Sequence, residues 1–243
     1  MKSSVKSFLQ LILGLESYLL LFAVCRIFVS RLDRREAGLY EFISRLPEQP
    51  VVLDVGANIG VTATIIQKQR PAARLIAFEP LPVNLKTLKS VFRLFGIPAT
   101  VVACAVGESA THIEMVLPEK DGVVLHGLGH LKSAQPDAPE SGLSFDVEMI
   151  SLDDSRQLWE NRRVDAIKLD VENAEALVLS GAKHLLQTDR PMIYCELWDN
   201  DNRRKCLALA DELGYTVSVL VKGKLELFDG TRHTADNFFL LPA

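Results

Sequence analysis

Paired cysteines, basic clusters and long unbroken apolar runs are all scarce in this 243-residue chain. Its four cysteines (Cys25, Cys104, Cys195, Cys206) lie far apart and form no C-x-x-C pair. That spacing excludes a disulfide framework and a zinc ribbon, and predicts small core residues in a reducing, cytoplasmic compartment. Basic residues are concentrated at the start. Residues 1–35 carry six Lys or Arg against Glu16 and Asp33, a balance of +4, which leaves 21 basic and 29 acidic residues, or −8, for the rest. So acidic a remainder excludes nucleic acid, which rewards clustered Lys and Arg. The most apolar stretch, residues 8–29, has the length to cross a bilayer, but Gln10, Glu16 and Arg26 interrupt it. No small-residue cleavage site follows it. It divides the chain into residues 1–35, an apolar and basic helix, and residues 36–243, a catalytic domain. The helix is expected to lie on the inner face of a membrane, to pack on the domain or a partner in a homodimer, or to span.

From residue 51 the pattern becomes an alternation. Strands are expected at 51–55, 74–78, 100–105, 145–150, 164–169, 191–196, 215–221 and 237–241, and helices at 60–69, 82–95, 172–186 and 201–213. Pro71, Gly96, Gly181 and Gly214 fall at or near the helix ends. Alternation of this kind predicts an α/β fold with a mostly parallel sheet and helices on both faces. No long helix separates "YTVSVLVKGKLELFDG" from "NFFLLPA", so a terminal antiparallel hairpin is expected there. Residues 118–143, rich in Gly, Pro and Ser, read as a loop insertion that covers substrate.

Ligands of such a sheet sit at the carboxyl ends of its strands. Four of five strand ends carry an acid: Asp54, Glu79, Asp170 with Glu172, and Glu196. The first turn, "DVGANIG", has Gly56 and Gly60 but lacks the middle glycine of a dinucleotide fingerprint. Asp54 before it would repel a pyrophosphate and can accept from an ammonium group. Glu79, 19 residues after Gly60, is placed to take both hydroxyls of a ribose. A cationic amino acid end, a ribose and no phosphate together describe S-adenosylmethionine. The alternative is an ordinary strand-to-helix turn. Candidate cofactor residues are Asp54, Gly56, Ala57, Asn58, Gly60, Glu79, Asn84 and Ala105. Lys168, Asp170 and Glu172 alternate on one strand face. They read as catalytic, with Asp170 or Glu172 as the base and Lys168 holding its geometry and charge, or as an ion-pair network at the sheet edge.

"DVGANIG", "FEPLPVNLKTL", "AVGE", "ISLDD" and "DAIKLDVENAEALVLSGAKHLL", in order across residues 51–197, with the tail "NFFLLP", resemble the FkbM family of methyltransferases. The resemblance implies a class I (Rossmann-like) methyltransferase fold with a seven-stranded sheet and a reversed final hairpin. It also implies methyl transfer from S-adenosylmethionine to a hydroxyl of a saccharide or other small metabolite. Asn173 stands where that family has glycine. It is the next most tolerant residue of a left-handed backbone, and it places a side chain beside the acceptor pocket. It also motivates the alternative of a catalytically weak, cofactor-binding subunit. A nicotinamide oxidoreductase is disfavoured by Asp54 and the missing glycine.

Four further residues are substrate candidates. Glu175 contacts acceptor or caps its helix, since a carboxylate there answers the helix dipole. Glu196 neighbours Lys168, Trp198 stacks on a sugar or covers the core, and His130 belongs to the insertion. No metal is expected. Gly127 and Gly129 oppose a metal-binding helix at His126 and His130, and nothing in the spacing of Asp170, Glu172 and Asp199 compels Mg2+.

Overall fold

The computed structural model describes residues 10–120, 123–125, 127–132 and 142–243. Its main sheet holds β1 (Val51–Val55), β2 (Arg74–Phe78), β3 (Thr100–Val102), β9 (Ala166–Leu169), β10 (Met192–Glu196), β11 (Tyr215–Val221), β12 (Lys224–Leu227) and β13 (Asn237–Pro242). The spatial order is β12-β11-β13-β10-β9-β1-β2-β3. Strands β3, β2, β1, β9 and β10 run parallel. β13 returns antiparallel between β10 and β11, which is the expected reversed hairpin. The seven expected strands are joined by an eighth, because Lys222 and Gly223 take positive φ and fold β12 back onto β11. Strand order reverses at β1, so the site belongs outside the carboxyl ends of β1, β2 and β9.

Side chains of β1 alternate between two cores. Val52 faces α1 (Leu15–Val29), α2 (Ala37–Ser44), α3 (Val61–Gln69) and α4 (Pro82–Phe95). Val51, Leu53 and Val55 face α5 (Glu175–Ser180), α6 (Lys183–Thr188), α7 (Asp201–Glu212) and the buried Trp159. The expected helix 172–186 is two helices, since a Cβ at Gly181 would collide with the Gly107 carbonyl and the chain turns there.

Three expectations change. The strand expected at 100–105 is split: β3 leaves the main sheet at Val102, and β4 (Ala105–Val106) opens a second one. That second sheet also holds β5 (Thr111–Lys120), β6 (Val123–Val124), β7 (His130–Leu131) and β8 (Gly142–Ile150). The strand expected at 145–150 therefore lies outside the main sheet. The described parts of the expected loop 118–143 include strand: the end of β5, β6, β7 and the start of β8, with Pro118 paired to Gly142; residues 121, 122, 126 and 133–141 of it lie outside the described residues.

The N-terminal helix is a packed element. Tyr18, Leu19, Ala23 and Ile27 are buried against α3 and α4, and Glu16 reaches Lys86 of α4 at 2.9 Å. Among the described residues, no helix is long and apolar enough to cross a membrane. All four cysteines are free; Cys104, Cys195 and Cys206 are buried and Cys25 is exposed.

Candidate active site

The turn after β1 is shaped by its backbone. Gly56, Asn58 and Gly60 all take left-handed φ, at 82°, 51° and 83°. Gly56 and Ala57 donate to the Phe78 carbonyl at 3.1 and 2.9 Å, locking the turn to the end of β2. A Cβ on Gly56 would collide with the Asp170 carbonyl oxygen, so the turn presses directly on the end of β9. Gly60 serves packing instead. It lines neither cavity described below, and a Cβ there would stand 3.0 Å from the Phe92 ring of α4.

Glu79 organises the second strand end. Its Oε2 accepts from Asn58 N at 2.9 Å, and its Oε1 accepts from Leu81 N at 3.0 Å and Asn84 Nδ2 at 3.1 Å. Burial raises its carboxyl to about 7 against the pull of these donors. Oε2 has one protein donor and retains acceptor capacity for a ligand hydroxyl.

Lys168 bridges the first and fourth parallel strand ends. Its Nζ donates to Gly56 O at 3.1 Å and to Asp170 Oδ2 at 3.3 Å, and stands 3.6 Å from Asp54 Oδ1. Burial opposes its charge, but Asp170 and Asp54 more than offset that and hold the ammonium above its usual range. Its partners are these two acids rather than Glu196. Asp54 is fully buried beneath the turn, and burial raises its carboxyl. It lines neither cavity, and it faces Lys168 as an ion pair.

Two cavities meet at Gly56, Asn58 and Asp170. The first is a slot of about 80 Å3. Phe78, Leu81, Met115, Leu131 and Met149 give it apolar walls, and Glu79, Asn84, Ala105 and Glu172 supply polar atoms and backbone. The second is a wider polar cavity of about 540 Å3. It is lined by Ala57, Lys168, Tyr194, Glu196, Asp236 and Asn237, and by Phe22, Arg26, Arg35 and Glu36 of the N-terminal segment. The slot is smaller than the roughly 300–1,000 Å3 of a ligand site, whereas the polar cavity falls within that range and opens to the slot at their shared residues.

Glu172 is not on a strand, as β9 ends at Leu169 and Glu172 has φ 53°. It lines the slot, and burial, then the charges of Asp170 and Glu196, raise its carboxyl to about 8. Asn173 adopts φ 75°, the left-handed conformation its glycine-like position requires. Its side chain does not enter either cavity; Oδ1 accepts from Asn200 Nδ2 at 2.6 Å.

The four acceptor-side candidates separate. Glu196 lines the polar cavity at the end of β10. Glu175 is buried and lines neither cavity; it accepts from Val171 N at 3.0 Å and from Asn202 Nδ2, which makes it the helix-start brace. Trp198, 37% exposed, donates to Glu196 Oε1 at 3.3 Å outside both cavities. His130 is buried on β7 with Nδ1 2.9 Å from the Leu128 carbonyl, and its neighbours Gly129 and Leu131 form the slot wall instead. His126 lies outside the described residues.

Sequence reasoning missed Arg26, Arg35, Glu36, Tyr194, Asp236 and Asn237. For the last two a signal existed: the reversed strand pairs Asn237 with Glu196, bringing its start to the carboxyl end of β10. Among the described residues no group of three or more metal-ligating side chains comes together.

Sheet order and the reversed hairpin are those of the class I methyltransferase fold. The chain matches the Methyltransferase FkbM domain over residues 54–222 and belongs to that family. Among curated relatives, methyltransferase sdnD of Sordaria araneosa is 28% identical over 72% of this chain and 77% of its own length. The 31-O-demethyl-FK506 methyltransferase FkbM of Streptomyces tacrolimicus is 25% identical over 74% and 77%. The fold matches the crystal structure of methyltransferase FkbM from Methylobacillus flagellatus, with a TM-score of 0.56 and 16% identity. That match covers 93% of this chain and 55% of the other. The protein is thus a methyltransferase, and its cofactor is S-adenosylmethionine.

The site fits that cofactor. Asn58 Oδ1 is buried with no hydrogen-bond partner among the described residues, at the junction of the two cavities, an acceptor suited to an ammonium group. Glu79 has free acceptor capacity for a ribose, and the apolar slot walls suit a purine.

Proposed function

We propose that this chain methylates a hydroxyl oxygen of a saccharide or another small polyhydroxylated metabolite. The observation that carries the reading is Asp170, which lines both cavities where they meet and whose carboxylate is held by Lys168 at 3.3 Å. Glu79 and Asn84 are the residues for the ribose, the slot and Ala105 for the purine, and Asn58 with Ala57 for the amino acid end. Bound there, S-adenosylmethionine supplies an electrophilic methyl group on a positively charged sulfur. Asp170 accepts the proton of the attacking hydroxyl, a role it can fill because it is half-buried and close to both spaces. Lys168 keeps that carboxylate oriented through its second anchor, the Gly56 carbonyl. Glu196 and Asp236 offer further carboxylates to neighbouring hydroxyls, and the half-buried Glu172 stands on the cofactor side.

The test is incubation of the full chain with a methyl-labelled donor and a panel of sugars and hydroxylated metabolites. The expected product carries label in an alkali-stable ether. Label appearing only on nitrogen, carbon or an alkali-labile ester would defeat the hydroxyl assignment. No transfer to any acceptor, with donor binding intact, would favour a cofactor-binding subunit.

A further inference from the structure

Helix α1 is apolar on both sides. Its inner side, Leu19, Ala23 and Ile27, is buried on α3 and α4, as a packing helix requires. Its outer side should then be polar. Instead Leu21, Cys25, Phe28 and Val29 face solvent, and Leu32 follows at 86% exposure. Phe28 is 69% exposed and continues onto α4, where its ring meets Phe95 at 6.2 Å beside the exposed Leu94. Leu11, Ile12 and Leu13, just before Gly14, extend the same character, with Leu11 84% exposed. Exposed apolar residues scattered singly are unremarkable, but a contiguous set on one helix face is a docking surface.

The charges around this face select its occupant. Arg31 and Arg34 lie in the turns just beyond α1, Arg93 lies next to Leu94, and Lys68 stands over the Phe28 and Phe95 rings at 5.7 and 4.1 Å. The nearby acids are already paired: Asp33 and Glu36 are engaged by Arg26 and Arg35, and the exposed Glu16 by Lys86. A second copy docked face to face would bring like charges together, whereas an anionic bilayer complements them. We propose that this face of α1 docks on a membrane surface rich in anionic lipid. The apolar side chains enter the headgroup boundary and the arginines meet lipid phosphates. Phe22 and Arg26 of the same helix line the polar cavity, so docking holds that cavity close to the lipid surface.

Flotation of the full chain with vesicles tests this, with calorimetric S-adenosylmethionine binding as the check that each variant is folded. The wild-type chain is expected to float with vesicles containing phosphatidylglycerol and not with purely zwitterionic ones. Arg31→Gln with Arg34→Gln should lower partitioning about thirtyfold, as two surface charges removed imply. Leu21→Ser with Val29→Ser and Leu32→Ser should abolish it with donor binding unchanged. Failure of the wild-type chain to float, or equal flotation of all variants, would overturn the proposal. A dimer in sedimentation that the serine variant dissociates, without vesicle binding, would assign the face to a second copy instead. None of these readouts depends on the acceptor or on turnover.

Discussion

Two regions border the polar cavity and are built by different means. The turns after β1, β2 and β9 are tied by hydrogen bonds to main-chain groups: Gly56 and Ala57 N to the Phe78 carbonyl, Asn58 N to the Glu79 carboxylate, and Lys168 Nζ to the Gly56 carbonyl. The segment from Phe22 to Glu36 reaches the cavity from a separate helix, through the ion pairs of Arg26 with Asp33 and Glu36. The first arrangement leaves little freedom, because a change in one turn moves another strand end. The second resembles an attachable wall, whose side chains can change without moving the sheet. On the proposed reading, cofactor binding belongs to the rigid edge, and acceptor selection to the cavity that the wall completes.

The sharpest break is expected at Gly56. A side chain there collides with the Asp170 carbonyl and must also adopt φ +82°, so Gly56→Val should lose folded protein as well as donor binding. Thermal denaturation and soluble yield measure it. Full stability with only donor binding lost would show the edge to be looser than described.

Glu79→Ala comes next. Asn58 N, Leu81 N and Asn84 lose their shared acceptor, and donor affinity should fall by about 1.5–3 kcal/mol in a calorimetric titration. The wall should behave otherwise. Arg26→Ala, which breaks two partly exposed ion pairs, should raise the acceptor KM while donor affinity stays within about threefold. A parallel loss of donor affinity would erase the distinction between edge and wall.

A pH series sharpens the comparison further. Glu172 is raised to about 8 and Glu79 to about 7, both above the ordinary glutamate value of 4.5. A carboxyl whose folded value is raised contributes its stability below its unfolded value and loses it as pH climbs through the folded one. The chain should therefore lose stability between pH 4.5 and about 8, and Glu172→Gln should flatten the upper part of that decline. Thermal midpoints across the range report it. The smallest effect is expected at Asn173→Gly, because Asn173 already holds φ 75° and turns its side chain to Asn200. Turnover should change by no more than about threefold. A large gain would mark Asn173 as a lesion.

Much of the rigid edge was legible in the sequence because its chemistry is local. Apolar five-residue strands ending in an acid, and glycines at 56 and 60, follow from short-range rules. The roles within it were less so. Asp54, Glu175 and Gly60 look like ligand contacts by position, and only burial shows Asp54 holding Lys168, Glu175 bracing α5 and Gly60 admitting Phe92. Gly, Pro and Ser in residues 118–143 point to a loop, yet the ends of β5 and β8 and the short β6 and β7 fall within that span. The long-range pairing of β5 with β8 overrides that composition. The wall is not legible at all: nothing in residues 22–36 indicates that Arg26 and Arg35 reach a cavity lined by β9 and β10.

The measurement that bears most directly on the account is Asp170→Asn in paired assays: calorimetric binding of S-adenosylmethionine, and single-turnover transfer of a labelled methyl group to the best acceptor. The predicted result is donor affinity within about threefold of wild type and a transfer rate lowered by on the order of 10²–10⁴. Transfer at the wild-type rate, or donor binding lost together with transfer, would contradict the placement of Asp170 as the proton acceptor between the two cavities.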